Sequence, residues 1–188
     1  MENRRQDILD AALEVFLEHG FDSATMSAIR ERSGASTGSI YHFFGSKAEM
    51  AAALLQAATS EWSLHSQALG MSDDAEQAVK ASVSGFLQWG QQNPRLFAFM
   101  DDMLARSRFS VGFEPAAVLL DKGRQAAAAA YARWVSEKRV RDLPWDVAYA
   151  LIMGPAYAVL RNSAGARIPE ENIAELARSA WLSVARHK

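Results

Sequence analysis

The stretch Ser36-Thr37-Gly38-Ser39-Ile40-Tyr41-His42-Phe43-Phe44-Gly45-Ser46-Lys47 decides how the rest of this chain is read. Ile29 lies seven residues before Ser36, and Gly34 opens a tight turn just ahead of it. The order is a short helix, a glycine turn, a second short helix with a hydroxyl-rich and aromatic exposed face, and at once the start of another. That order predicts a helix-turn-helix, whose second helix enters a DNA major groove.

Working outward, helical periodicity continues on both sides, and no run of alternating β-branched residues interrupts it. A first helix is expected over about Arg5–His19, with Ile8, Ala12, Val15 and Phe16 on one face and Gly20 as its stop. Thr25 is the expected cap of a second helix, Met26–Ser33, and Ser36 the cap of a third. Ser46-Lys47-Ala48-Glu49 is a capping box for a fourth, running to about His65. A break at Leu69-Gly70-Met71-Ser72 precedes Asp73-Asp74-Ala75-Glu76, which caps a helix reaching Gln92, where Asn93-Pro94 breaks it. Further helices are expected over about Arg95–Ser107, from Glu114-Pro115 after Val111-Gly112-Phe113 to about Lys138, and over about 145–165 and 170–186. The fold class is all-α, with about nine helices. The expected domains are an N-terminal helix-turn-helix domain, 1–47, and a C-terminal helical ligand-binding and dimerisation domain, 48–188.

Composition narrows the function. The 188 residues contain no cysteine, which excludes a disulfide scaffold and a thiolate metal site and suits a reducing cytoplasm. The N-terminus does not read as a secretory signal, and no apolar run reaches the ~18–20 residues that span a bilayer. A cytoplasmic protein without membrane contact is expected. The net charge is −2, and residues 1–50 set five basic side chains (Arg4, Arg5, Arg30, Arg32, Lys47) against eight acidic ones. A basic patch is the usual footprint of a DNA-binding module, so a locally positive face and helix N-termini must serve instead.

The pieces Ile8–Phe16, Gly20-Phe21-Asp22, Ile29, Gly34-Ala35-Ser36, Gly38–Phe44 and Gly45-Ser46-Lys47 together resemble the N-terminal DNA-binding domain of the TetR family of bacterial transcription regulators. The resemblance covers about a quarter of the chain, and it is the order and spacing of the pieces that make it specific. It implies three DNA-binding helices followed by six for ligand binding and dimerisation. Ile40 and Phe44 are core, expected against Ile29 and Phe16. Thr37, Ser39, Tyr41 and His42 face outward, where hydroxyls, a phenol and an imidazole can bond phosphates or base edges. On an arbitrary helix they would be a solvated polar face; the family match reverses that. Gly38 lets the backbone approach the duplex, against a helix penalty of about 1 kcal/mol relative to alanine. By the same resemblance, Tyr41 and the turn leading to Ser36 position the helix, Lys47 grips a phosphate, and Thr25 makes a second phosphate contact. The chain departs from the family at Thr37, Ser27, Phe43 and Arg30, and its recognition helix lacks arginine, lysine, asparagine and glutamine, the best bidentate readers of bases.

In the remainder, Phe86, Trp89, Phe97, Met100, Met103, Trp134 and Met153 are soft and aromatic. Core packing explains any one of them; as a group they suit an adaptable cavity for an apolar or aromatic effector. Ala150, Gly154 and Ala158 recur every four residues, and Pro155 is expected to kink that helix. The last helix carries the apolar stripe Ile173, Ala177, Ala180 and Val184. As in the family, these two helices are expected to form a four-helix homodimer interface. The reading is a DNA-binding transcriptional regulator, a repressor on a palindromic operator, with no cofactor. The alternative is a dimeric all-α small-molecule-binding protein or enzyme without DNA binding. Against an enzyme, the four histidines are scattered and no metal-ligand spacing or Gly-rich phosphate loop occurs.

Overall fold

In a computed structural model, residues 2–66, 73–107, 114–163 and 165–186 are described. Among them there are nine helices and no strands: α1 (Glu2–Ser23), α2 (Met26–Ser33), α3 (Thr37–Phe43), α4 (Lys47–Ser66), α5 (Ala75–Gln92), α6 (Pro94–Ser107), α7 (Glu114–Ser136), α8 (Trp145–Ser163) and α9 (Glu170–Val184). The all-α expectation is met. The expected breaks at 69–72 and 111–113 lie outside the described residues. No helix among those described is long and apolar enough to cross a membrane.

The helix ends follow from local chemistry. Gly20 adopts φ 74°, ψ 157°, a region open essentially to glycine, so α1 breaks there and its last residues turn back. Gly34 sits in the left-handed region (φ 59°) and closes α2. The Thr25 hydroxyl accepts from the Ala28 amide, Ser36 from Ser39, and Asp74 from both Glu76 and Gln77. Such caps contribute about 1 kcal/mol each. The capping box at α4 forms with one difference. Ser46 Oγ accepts from Glu49 N at 3.2 Å, but the Glu49 carboxylate returns to Gly45 N at 2.9 Å. α7 ends at Ser136, two residues before the expected Lys138, which takes a left-handed φ of 58°. α8 runs on through Pro155.

The chain divides into two compact units: residues 1–59 with 95–119, and residues 60–94 with 120–188. In the first, Ile8, Ala12, Val15 and Phe16 of α1 are buried together with Ile29, Ile40 and Phe44. Phe16 stacks on Phe99 of α6 at 5.6 Å and tilts against Phe21 at 5.5 Å. In the second unit α5 is the central helix, packed by both α8 and α9. At Gly90 α5 and α8 pack closely, since a Cβ there would stand 2.5 Å from Leu160 Cδ1. The segment after α9 pairs antiparallel with the α7–α8 connection at Val140 and Ala185. The Tyr131 hydroxyl donates to Arg141 O at 2.7 Å in the same corner.

The last helix corrects an expectation. Ile173, Ala177, Ala180 and Val184 are all at most 4% exposed, because this stripe faces α5 and α8 of its own protomer. They are core and unavailable to a partner. Ala150, Gly154 and Ala158, in contrast, are exposed on α8, and Val147 and Leu182 stand 45% and 43% exposed.

Candidate nucleic-acid interface

α3 is a seven-residue helix held between two fixed ends. At its start the Ser36 hydroxyl accepts from Ser39 N at 3.1 Å and lies 3.0 Å from the Ser39 hydroxyl. At its end Phe44, 3% exposed, donates its backbone N–H to Ile40 O. Ile40 is the buried anchor of the helix. Thr37, Gly38, Tyr41 and His42 are exposed, Tyr41 by 58%, and Ser39 is half-buried. Thr37, Gly38, Tyr41 and His42 therefore share the open side of α3, and Ser39 lies at its half-buried edge beside Ser36. Thr25 is exposed at the start of α2. A Cβ on Gly38 would meet nothing closer than Ser36 Oγ at 4.0 Å, so packing inside the protein does not require glycine there.

Lys47 is placed otherwise than expected. Its Nζ donates to the carbonyl oxygens of Phe21, Asp22 and Ala24 at 2.8, 2.9 and 2.9 Å. It also stands 4.8 Å from the centre of the Phe21 ring. An ammonium has three donors, and all three are engaged. The ammonium ties the start of α4 to the end of α1, a clamp that the phosphate expectation did not include.

Arg32 is likewise occupied. It donates to both oxygens of Glu18 at 2.9 and 2.6 Å and to Glu14 at 3.0 Å, while Arg95 of α6 reaches the other Glu14 oxygen at 3.2 Å. The Arg32 hydrogen bond, then that of Arg95, holds the Glu14 carboxyl below the usual glutamate range. Arg32 does the same to Glu18. The network fastens α1 to α2 and to α6, and sequence reasoning missed it; Glu14 and Glu18, spaced four apart on α1, were the available signal.

Two arginines at the head of α1 also went without a role in the sequence reading. Arg4 Nη2 donates to Gly34 O at 2.7 Å, and Nη1 lies 3.8 Å from Asp7. The Arg5 guanidinium sits 5.1 Å over the Phe44 ring.

Residues 8–54 match the family model described as bacterial regulatory proteins, tetR family. This segment is similar to the DNA-binding region of TetR-family regulators. AcnR of Corynebacterium efficiens, an HTH-type transcriptional repressor, is 44% identical over 52 residues, 28% of this chain and 28% of AcnR. FasR of Mycolicibacterium smegmatis, an HTH-type transcriptional activator, is 36% identical over 89 residues, 47% of this chain and 41% of FasR. The matched stretches thus span less than half the length of either curated relative. A TetR family transcription regulator from Marinobacter aquaeolei VT8 superposes over 99% of this chain and 97% of its own, with a TM-score of 0.81 at 15% identity. KstR2 of Mycobacterium tuberculosis, a ketosteroid transcriptional regulator, does so over 98% and 96% with a TM-score of 0.75 at 18% identity. These two likenesses establish the fold of the whole chain as that of TetR regulators.

The carboxylate network carries a pH prediction. A carboxyl whose pKa is lowered by folding contributes stability above its unfolded pKa and loses it as pH falls through the folded one. Glu18→Gln should therefore lower the thermal midpoint at neutral pH and lose less of it on acidification below about pH 4. Equal acid sensitivity of the two proteins by circular dichroism would mean that the network contributes nothing to stability.

Proposed function

We propose that the protein is a DNA-binding transcriptional regulator that occupies a palindromic operator as a homodimer. The observation that carries this reading is α3: capped, anchored by Ile40, and open along Thr37, Gly38, Ser39, Tyr41 and His42 in a segment that matches the tetR model. Ser36 sets its start and Thr25 adds a contact at the start of α2. Hydroxyls and an imidazole reach phosphates and base edges, and a threonine methyl can touch a thymine methyl. With no bidentate reader on the helix, specificity rests on few direct contacts and on duplex shape. The domain limits are 1–47 for DNA and 48–188 for effector and dimer. Repression is the favoured outcome, as the designation of AcnR suggests.

The homodimer uses the exposed side of α8, where Ala150, Gly154 and Ala158 leave a shallow groove flanked by Val147. A small apolar or aromatic effector releases the operator. Of the candidate effector residues, Phe86, Trp89, Trp134 and Met153 lie in the second unit and Phe97, Met100 and Met103 in the first. All seven are at most 5% exposed. Phe86 packs with Trp62, Trp89 and Tyr157, and Trp89 Nε1 donates to Glu61 at 3.3 Å. Trp134 Nε1 is buried without a hydrogen-bond partner. A buried unpaired donor costs about 1–3 kcal/mol, which an acceptor on a bound molecule would recover.

Three measurements test this reading. Gly38→Ala should raise the thermal midpoint, since the added methyl meets open space and alanine is the better helix former, yet bind operator found by genomic footprinting at least about tenfold more weakly, as expected when a methyl holds the helix off one base edge. Unchanged affinity would remove Gly38 from the interface. Gly154→Arg should fold, because nothing lies within 4 Å of its Cβ, and should give monomers in light scattering; a persistent dimer would move the interface off α8. A panel of aromatic and aliphatic compounds should include members that quench tryptophan fluorescence and release DNA. A panel doing neither would withdraw the effector and leave the DNA-binding reading standing.

A further inference from the structure

The helix-turn-helix has few cations to offer the phosphate backbone. Of the five basic residues in positions 1–50, Lys47 has all three donors on carbonyl oxygens. Arg32 is bonded to Glu14 and Glu18. Arg30 lies on α2 with Glu31 at 3.9 Å. Arg30, Arg4 and Arg5 thus keep donors to offer, and of these Arg4 and Arg5 are the two placed at the ends of α3. Arg4 bonds the carbonyl of Gly34, two residues before the cap of α3. Arg5 lies over the ring of Phe44, the residue that ends α3. One guanidinium is fixed at each end of the recognition helix, which at seven residues is about 10 Å long.

We infer that Arg4 and Arg5 are the cations with which this domain grips the DNA backbone on either side of α3. The inference rests on the DNA-binding reading above. A guanidinium has five N–H donors. Arg4 commits one to Gly34 and holds another group 3.8 Å from Asp7, so donors are left for a phosphate while its position stays set by the turn. The Arg5 guanidinium stands 5.1 Å from the centre of the Phe44 ring, an attraction that fixes its place and uses none of its five N–H donors in a hydrogen bond. Contacts to phosphate position a recognition helix without reading sequence, and a helix with no charged base reader depends on them for most of its affinity. Lys47 acts one step removed, as a positioning residue that fixes the joint on which α3 is carried.

Salt dependence separates these roles. Binding to a fluorescein-labelled random-sequence duplex is followed by anisotropy between about 50 and 200 mM KCl, and the slope of log K against log salt falls by about 0.9 for each phosphate that the protein no longer neutralises. Because both protomers of the homodimer carry the change, Arg4→Gln and Arg5→Gln should each lower the slope by about 1.8 and the affinity roughly 25- to 100-fold near 0.1 M salt. The double variant should lower the slope about twice as far, and Arg4→Lys should retain it. Lys47→Met should lower the thermal midpoint and the affinity while keeping the wild-type slope. A double arginine variant with wild-type slope and an unchanged circular dichroism spectrum would overturn the inference and leave the DNA-binding reading intact, as would Lys47→Met lowering the slope by about two units with its midpoint unchanged. A wild-type protein with no salt-dependent binding to any duplex would overturn that reading itself.

Discussion

The Lys47 ammonium, bonded to three carbonyl oxygens, is the constraint on which the N-terminal domain depends. Gly20 breaks α1 and so exposes carbonyls that no further turn of helix will satisfy. Ala24 O comes from the residue just before the Thr25 cap of α2. A single cation therefore closes the joint where α1 ends, α2 begins and α4 begins. Charge-assisted hydrogen bonds of this kind are about twice as strong as neutral ones, and the Phe21 ring beneath the ammonium adds a further attraction. Once that joint is fixed, α3 has little freedom: its start follows from Gly34 and Ser36, and its end from Phe44 and the α4 cap.

This arrangement reconciles an acidic sequence with a DNA-facing surface. Counted along the chain, residues 1–50 carry more negative than positive side chains. Glu14 and Glu18 are neutralised by Arg32 and Arg95, the second of which comes from outside those fifty residues. Two of the negative charges therefore act within the protein as fasteners. In the proposed function, the charge presented to DNA depends on which side chains stand at the ends of α3, a property that a net count does not contain.

What could be read from the chain divides along the same line. Caps are local, so Thr25, Ser36, Ser46 and Gly34 were legible from residue types and spacing alone, and with the Asp73-Asp74 pair they place most of the helix boundaries within a residue or two. Ile40 and Phe44 were legible as core because their spacing is that of one helix face. The partner of Lys47 was not legible, because it exists only after Gly20 has turned the backbone back. Arg4 and Arg5 escape a sequence reading for a similar reason: their meaning comes from Gly34 and Phe44, about thirty and forty residues away. Phe97, Met100 and Met103 resemble Phe86 and Trp89 in composition, yet they belong to the unit that contains α1. Composition identifies softness and not neighbours.

Periodicity has the same limit in α9. The recurrence of Ile173, Ala177, Ala180 and Val184 shows that one side of the helix is covered; whether by α5 of the same protomer or by a second copy is a question of tertiary packing, and α5 covers it. The glycines of α5 and α8 then point in different directions. A glycine in a helix interior forfeits roughly 0.5–1 kcal/mol relative to alanine. At Gly90 the reason lies inside the protomer, where Leu160 leaves no room for a methyl group. At Gly154 a methyl would meet open space, so the protomer offers no compensation. The compensation that fits is a second α8 pressed into the groove between Ala150 and Ala158, with Val147 beside it. The homodimer is supported by that unexplained glycine and the small residues around it, rather than by the apolar stripe of α9.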